Sequence, residues 1–243
     1  MKIFQWKNCY ADVVASKHGV SVKCFFEDVV IPAVHTLEDK IAILGRRENP
    51  GDAFAQADMK DVLRETKLAF GLSVQSIWER QLRGYLRGCM KELRPDKKMV
   101  DKIEKGSWTR LCSLFLELRG IGLDCFPSFS VLDTLHLIGN ACRHGDGPAA
   151  IELSKRCPDL WHTYPLMPFS ESPPEIQSPS VARMDLSLER LKAFVQAIVT
   201  FWDDVEYIYM ESIERKHSSL EARLALERMK RSWLPLAAPN ESR

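Results

Sequence analysis

The chain has 243 residues, of which 45% are hydrophobic, and its formal net charge is +1 at pH 7. This length and composition can support a sizeable core, while the balanced charge excludes a polyanion-binding field over the whole surface. The seven cysteines form an odd set without a CxxC pair, which argues against a disulfide framework or a zinc knuckle. The polar start is unlike a signal peptide, and no apolar run approaches the ~18 residues of a membrane span. We therefore expect a cytoplasmic protein without a membrane partner.

The spacing of apolar residues predicts an all-α chain. Residues 19–26 are the one weak strand candidate. Helical spacing extends over residues 28–47 and ends in a predicted break at 48–52. A long amphipathic stretch from 59 to 93 follows, with a predicted interruption at 71–73.

A further helix, capped by Asp96 or Asp101, is predicted to run to Leu118. The central helix, which carries residues 133–144, comes next, with Ser128 or Ser130 as a plausible N-cap.

The second half of the chain contains one segment of a different kind. A short helix is predicted from Pro148 to Arg156, and residues 157–183 contain six prolines, which is typical of a loop or linker. Helical periodicity returns in a seam from Leu188 to Ile208, and residues 218–233 predict a final charged helix. We predict an accessory segment (1–58), a helical bundle including the Pro-rich loop (59–215), and a C-terminal helix and tail (216–243).

The central helix has an unusual polar face. On a helical wheel, five residues fall within an arc of roughly 100°: Asp133, His136, Asn140, Arg143 and His144. A neutral imidazole can take a proton from a ribose 2′-hydroxyl, and a guanidinium can stabilise charge on a phosphorane. His144 is thus the candidate general base or acid, Arg143 the phosphate clamp, Asn140 an orienting group and His136 a supporting one. The alternative is a polar face buried in a subunit or domain contact, without chemistry.

Two other chemistries fit this helix less well. His136 and His144 are two turns apart, roughly 12 Å, which is too far to share one ion. We accordingly predict no metal and no cofactor. Cys142 lies about 160° from His144 on the apolar side, which disfavours a cysteine nucleophile. Gly145 supplies a C′ stop, so the arc ends at a helix terminus that a ligand could reach.

Residues 137–144, Leu-Ile-Gly-Asn-Ala-Cys-Arg-His, resemble the motif of HEPN-superfamily proteins, helical bundles that include many ribonuclease toxins and phage-defence effectors. In that motif an Arg, usually followed by a polar residue such as Asn, is separated from a His by four to six residues. Asn140 matches the polar residue and His144 the His, but Gly139 stands where the family has Arg. Arg143 could supply the guanidinium from one turn further on.

The resemblance implies an HEPN-like bundle that cleaves RNA without a metal and leaves a 2′,3′-cyclic phosphate. It also implies a homodimer, in which two copies of the motif form one composite site. We therefore expect an endoribonuclease of toxin–antitoxin or antiviral-defence type, with an antitoxin or defence-complex protein as a further partner. The competing interpretation, favoured by Gly139, is a non-catalytic HEPN-like subunit that binds within or regulates a larger complex.

A basic stripe precedes the central helix. Residues 80–119 contain eleven Lys and Arg against five acids, and several of the cations share one helix face: Arg80, Arg83, Arg87, Lys91 and Arg94. Such a face can bind an RNA backbone by counterion release, with Tyr85 and Trp108 available for base stacking. The alternative is an ordinary solvated face.

Two aromatic segments have competing interpretations. Glu79 is either an acidic residue near an active cleft, as the resemblance implies, or the i,i+4 partner of Arg83 beside a core Trp78. Residues 161–164 are either a stacking platform or an aromatic plug that pins the Pro-rich loop. We favour the pairing and the plug.

Overall fold

The structure, a computed structural model, describes residues 2–47, 49–161 and 179–237. Over these residues it confirms the all-α prediction, with ten α-helices, short π and 3-10 turns, two isolated β-bridges and no strand. The helices are α1 (Tyr10–Ala15), α2 (His18–Phe25), α3 (Ile31–Gly45), α4 (Pro50–Leu93), α5 (Lys97–Lys105), α6 (Trp108–Arg119), α7 (Phe129–His144), α8 (Pro148–Arg156), α9 (Leu188–Glu211) and α10 (Ser218–Lys230). None of the described helices is long and apolar enough to cross a bilayer.

The described residues divide into two compact units, each assembled from separate stretches of the chain. Those within 1–21, 78–130 and 197–243 form unit 1, and those within 22–77 and 131–196 form unit 2. The domain boundaries predicted from the sequence, at 58/59 and 215/216, stay predictions.

The weak strand candidate at 19–26 is wrong, because these residues lie in α2 and at the start of a π-helical turn, Phe26–Val30. Val22 and Phe26 are both buried, whereas Val20 is 63% exposed. Buried positions four residues apart follow the period of a helix, so the β-branched residues of this segment do not mark a strand.

Helix α4 is continuous, and the predicted interruption at 71–73 does not occur. Gly71 is a packing residue here: a Cβ on it would stand 2.6 Å from Leu186 Cδ2 within unit 2. The helix begins at Pro50, a residue favoured in a first helical turn, and Gly51 N donates to Asn49 Oδ1 at 3.1 Å. The predicted break therefore marks this N-terminus, although Glu48 lies outside the described residues.

The helix predicted to run to Leu118 is in fact two helices, α5 and α6, each with its own N-cap. Asp96 accepts a hydrogen bond from Lys98 N at 2.8 Å, and Ser107 Oγ accepts one from Arg110 N at 3.4 Å. The sequence pattern missed the second cap because the apolar spacing continues across Gly106 and Ser107.

Helix α7 ends where the sequence predicts. Gly145 has φ 72°, the left-handed conformation that favours glycine, and its N–H donates to Ala141 O at 2.8 Å. At the other end, Ser128 precedes the helix, but its buried Oγ has no hydrogen-bond partner in the described part of the chain.

The remaining helices follow the sequence closely. Helix α8 has the predicted bounds, and α9 contains the predicted apolar seam, whereas α10 ends at Lys230 rather than at Trp233. Of the segment 161–164, only Trp161 is among the described residues, and its indole donates to Ser180 O at 2.8 Å.

Unit 1 has an aromatic core. Trp78, Phe201 and Trp202 contact one another with ring centroids 4.9 to 5.7 Å apart. At the edge of this unit, the first and last described residues pair: Phe4 N donates to Pro235 O at 2.8 Å, and Ala237 N donates to Lys2 O at 3.0 Å.

Candidate functional site

Helix α7 presents the predicted polar face from unit 2. Its apolar side is buried, with Leu135 and Ile138 fully inaccessible. On the other side His136 and Asn140 are half-buried, while Arg143 and His144 are exposed in the last turn. The part of the face that solvent can reach is thus the guanidinium of Arg143 and the imidazole of His144.

The two half-buried polar residues of this face contact each other. Asn140 Nδ2 lies 2.9 Å from His136 Nε2, one helical turn away. In this contact the amide nitrogen of Asn140 is the donor and His136 Nε2 the acceptor. Asn140 therefore orients His136, and not His144, the residue for which the sequence made it a candidate.

Arg143 is fixed by neutral groups on α4. Its Nη2 donates to Gln75 Oε1 and lies 3.5 Å from Ser76 Oγ. No carboxylate among the described residues pairs with this guanidinium. Gln75 and Ser76 carry no charge, so they hold the position of Arg143 without neutralising it, and no described residue accepts from its Nε or Nη1.

Position 139 has no room for a side chain. Gly139 is buried, and a Cβ built on it would stand 2.6 Å from Gln75 Cγ and 2.9 Å from Gln75 Oε1. Real Cβ atoms do not approach other atoms so closely. No side chain fits at this position while Gln75 keeps the place from which it binds Arg143.

The turn after α7 is anchored through Asp146, and the first half of α7 is anchored to α8. Asp146 Oδ1 accepts from Val181 N at 2.6 Å, and Asp133, in the first half of α7, pairs with Arg156 of α8 at 2.6 Å. The exposed His144 thus ends a helix whose last turn is anchored within unit 2. Asp133 belongs to the polar arc of the sequence but is engaged in packing α8.

Cys142 is a poor nucleophile in this environment. Burial raises the pKa of its thiol to about 11, so the group stays protonated at neutral pH. Its Sγ lies 3.8 Å from Leu68 O of α4.

The predicted basic stripe is divided in unit 1 between paired and unpaired cations. Arg83 binds Glu79 at 2.6 Å and donates to Gly106 O at 2.9 Å beyond the end of α5. The predicted Glu79–Arg83 pairing is therefore confirmed, and Arg83 has a structural role. Arg87 pairs with Glu104 at 3.3 Å.

Arg94 also pairs, with Glu117 at 2.6 Å. Arg80 and Lys91 are exposed, and neither forms an ion pair in the described part of the chain. The binding of RNA by Arg80, Arg83, Arg87 and Lys91 stays a prediction, with two of the four cations already engaged.

Tyr85 is not available for base stacking, which corrects the sequence analysis. It is 2% exposed, and its hydroxyl donates to Asp12 Oδ1 at 2.7 Å. Trp108 is half-buried and stacks on Phe129, with centroids 6.3 Å apart and planes 9° apart.

The sequence analysis missed two groups of residues. Gln75, which positions Arg143, lies in a helix stretch where a single buried glutamine gives little signal. Unit 1 also contains a buried ion pair, with Arg119 Nη2 3.0 Å from Asp12 Oδ1 and both side chains inaccessible. Beside it, Cys9 Sγ and Cys89 Sγ are 3.5 Å apart. These partners are far apart in sequence, so only the fold brings them together.

No protein-family model, no curated protein and no solved structure matches this chain. The fold and the site define it as an all-α protein with an anchored arginine and an exposed histidine at one helix end.

Proposed function

We propose that the chain is an HEPN-like endoribonuclease that cleaves RNA without a metal ion. Arg143 is the phosphate clamp and His144 the general base. The observation that carries the proposal is the Arg143 guanidinium, which is held by Gln75 and Ser76 without a compensating carboxylate among the described residues. A fixed, uncompensated cation beside an exposed imidazole suits a phosphodiester.

The proposed reaction is an internal transesterification. The imidazole of His144 removes the proton from a ribose 2′-hydroxyl, and the 2′-oxygen attacks the adjacent phosphorus. The bond from phosphorus to the 5′-oxygen breaks, and a 2′,3′-cyclic phosphate remains. The 5′-oxygen takes a proton from solvent water, and the His144 imidazolium returns its own proton to the solvent, which restores the base. Arg143 stabilises the extra negative charge on the phosphorane.

The geometry of α7 favours a site that two copies share. Arg143 and His144 are consecutive and project about 100° apart around the helix axis. One copy therefore cannot readily aim both groups at the same phosphate. In a two-fold dimer, Arg143 of one protomer and His144 of its partner can converge.

A second candidate function is a non-catalytic HEPN-like subunit that binds or regulates other proteins. It is favoured by Gly139, which occupies the position of the motif arginine and lies against Gln75 with no room for a side chain. On this alternative, the polar end of α7 contacts a partner protein.

The experiment is cleavage of labelled tRNA and single-stranded RNA in EDTA, with mapping of the product ends. Wild type is compared with His144→Ala and Arg143→Ala. The matched controls are His35→Ala and Arg46→Ala, which remove exposed residues of the same types from α3 and its C-cap in unit 2. We expect cyclic-phosphate products from the wild type and both controls, and a loss of about 100-fold or more in His144→Ala.

Absence of cleavage by a folded, dimeric wild type would favour the non-catalytic subunit. As cellular role we propose a toxin or antiviral-defence effector restrained by a partner protein. Expression of the wild type in a bacterial host should then arrest growth, whereas His144→Ala should not.

A further inference from the structure

A hollow of about 370 Å³ opens on unit 1 between α1, the start of α2 and the segment of α4 from Arg80 to Glu92. Volumes of about 300–1,000 Å³ are usual for sites that bind small organic molecules. The residues proposed to cleave RNA, Arg143 and His144, belong to unit 2 and do not line this hollow.

A glycine without a packing role lines this hollow. A Cβ on Gly84 would meet nothing within 4 Å, whereas a Cβ on Gly88, one turn later, would stand 2.7 Å from Ala11 Cβ. The contact with α1 therefore explains Gly88 but not Gly84. Glycine inside a helix costs about 1 kcal/mol of folding free energy relative to alanine. Gly84 therefore lowers the stability of the protein and leaves helix backbone exposed in the hollow.

The charges around the hollow are unbalanced. Arg80 and Lys91 line it, and they are the two cations of the basic stripe that have no ion-pair partner among the described residues. The acidic residue of the lining is Glu92, and its two carboxylate oxygens share a bifurcated hydrogen bond from Tyr10 N, at 3.0 and 3.1 Å. Its carboxylate thus holds the first residue of α1, and one acid against two cations leaves the lining with a net positive charge.

The rest of the lining is apolar or uncharged. Tyr10 is 69% exposed and Val14 45% exposed, so both side chains offer apolar surface to a ligand. Burial lowers the pKa of His18, whose ring centroid lies 4.7 Å from that of Trp202, and so disfavours the charged imidazolium. An apolar wall with cations at its rim matches a ligand with an apolar body and an acidic group.

We propose that this hollow is a binding site for a small organic anion, whose apolar body lies over Gly84 against Tyr10 and Val14. Arg80 and Lys91 stand about three helical turns apart at the two ends of the hollow, and their positive charges attract its acidic group.

The test uses two fluorescent probes of nearly the same shape: anilinonaphthalene sulfonate, an anion, and phenylnaphthylamine, its uncharged analogue. Both are titrated into the full chain. We expect one saturable site for the anionic probe and binding of the neutral probe about tenfold weaker, as expected for the loss of its attraction to two partly solvated cations.

Three variants locate the site. Gly84→Leu fills the hollow with a good helix former and should weaken the anionic probe at least about tenfold. Arg80→Gln and Lys91→Gln should each weaken it about threefold without changing the neutral probe. The control Arg87→Gln removes a cation of the same stripe that is already paired with Glu104, and should bind both probes as wild type does.

The proposal is overturned if folded Gly84→Leu binds the anionic probe as tightly as wild type, or if wild type binds neither probe. Equal affinity for both probes would show that the two cations do not contribute to binding, and would also contradict the proposal. Circular dichroism and the melting temperature establish that each variant is folded.

Discussion

The Gln75 side chain lies directly against Gly139, so that a Cβ at position 139 would stand 2.6 Å from Gln75 Cγ. The same Gln75 accepts a hydrogen bond from Arg143. The side chain of Gln75 on α4 therefore leaves no room for a side chain at position 139 of α7, and it also fixes the guanidinium of Arg143 one turn further on.

This coupling predicts the effect of Gly139→Ala. Alanine favours helix more than glycine does, but the crowding against Gln75 should dominate and lower the free energy of unfolding by about 1–3 kcal/mol. The double variant Gln75→Ala/Gly139→Ala should recover part of this loss, because removing Gln75 makes room for the methyl group. Urea denaturation of both single variants and the double variant measures the coupling; simple additivity would contradict it.

The glycines of α4 in unit 1 predict opposite signs for the same substitution. Gly84→Ala should raise the free energy of unfolding by about 1 kcal/mol, since its Cβ meets nothing within 4 Å. Gly88→Ala should lower it, because its Cβ would crowd Ala11 at 2.7 Å. Parallel urea titrations test the pair, and a loss of stability in Gly84→Ala would contradict the open environment of that residue.

The buried ion pair of Asp12 and Arg119 predicts a large loss on truncation. Arg119→Met should lower the free energy of unfolding by about 3–5 kcal/mol, because it leaves the Asp12 carboxylate buried without its partner. Arg94→Met breaks a pair that is exposed on its arginine side and should cost less than about 1 kcal/mol. Similar losses in both variants, measured by urea denaturation, would show that burial does not decide the energy of these pairs.

Glu211 predicts a dependence of stability on pH. Burial alone would raise the pKa of Glu211, but hydrogen bonds from Arg228 at 2.7 Å and Tyr207 at 2.8 Å outweigh it and leave the pKa below its ordinary value. The unfolded chain then takes up the proton first as pH falls. The contribution of Glu211 to stability is therefore complete above its unfolded pKa of about 4.3 and is lost towards the lower folded pKa.

The free energy of unfolding, measured by urea titration between about pH 6 and pH 3, should fall less steeply with acid in Glu211→Gln than in wild type. Glu214→Gln removes an exposed glutamate of the same turn and should keep the wild-type slope. An unchanged slope in Glu211→Gln would contradict the lowered pKa.

The shared site predicts complementation. His144→Ala and Arg143→Ala, each inactive alone, should regain part of the RNA cleavage when they are mixed and allowed to exchange protomers. In the mixed dimer, the composite site has an intact arginine from one protomer and an intact histidine from the other. Mixing His144→Ala with His144→Ala/Arg143→Ala is the control without restoration. Equal inactivity of both mixtures, with exchange demonstrated, would place both groups in one protomer.

The sequence predicted what depends on local periodicity and missed what depends on distant neighbours. Gly145 and Pro148 could be placed because a left-handed C′ residue and a first-turn proline have local causes. Gly71 was misjudged as a break because its role is to admit Leu186, a residue far along the chain. At the candidate site, the polar arc of α7 was visible from spacing, whereas the hold of Gln75 on Arg143 needs the packing of α4.

Unit 1 joins stretches of chain that are far apart in sequence, as the pairing of Lys2 and Phe4 with Pro235 and Ala237 shows. This separation has a consequence for biosynthesis. Trp78 and Tyr85 are synthesised long before Phe201 and Trp202, the rings that bury them. On the ribosome, the aromatic side chains of α4 in unit 1 therefore stay exposed to solvent until the chain from 197 onward has emerged. Closure of such a long loop is slow, so nascent unit 1 should be a substrate for chaperones that bind exposed aromatic segments.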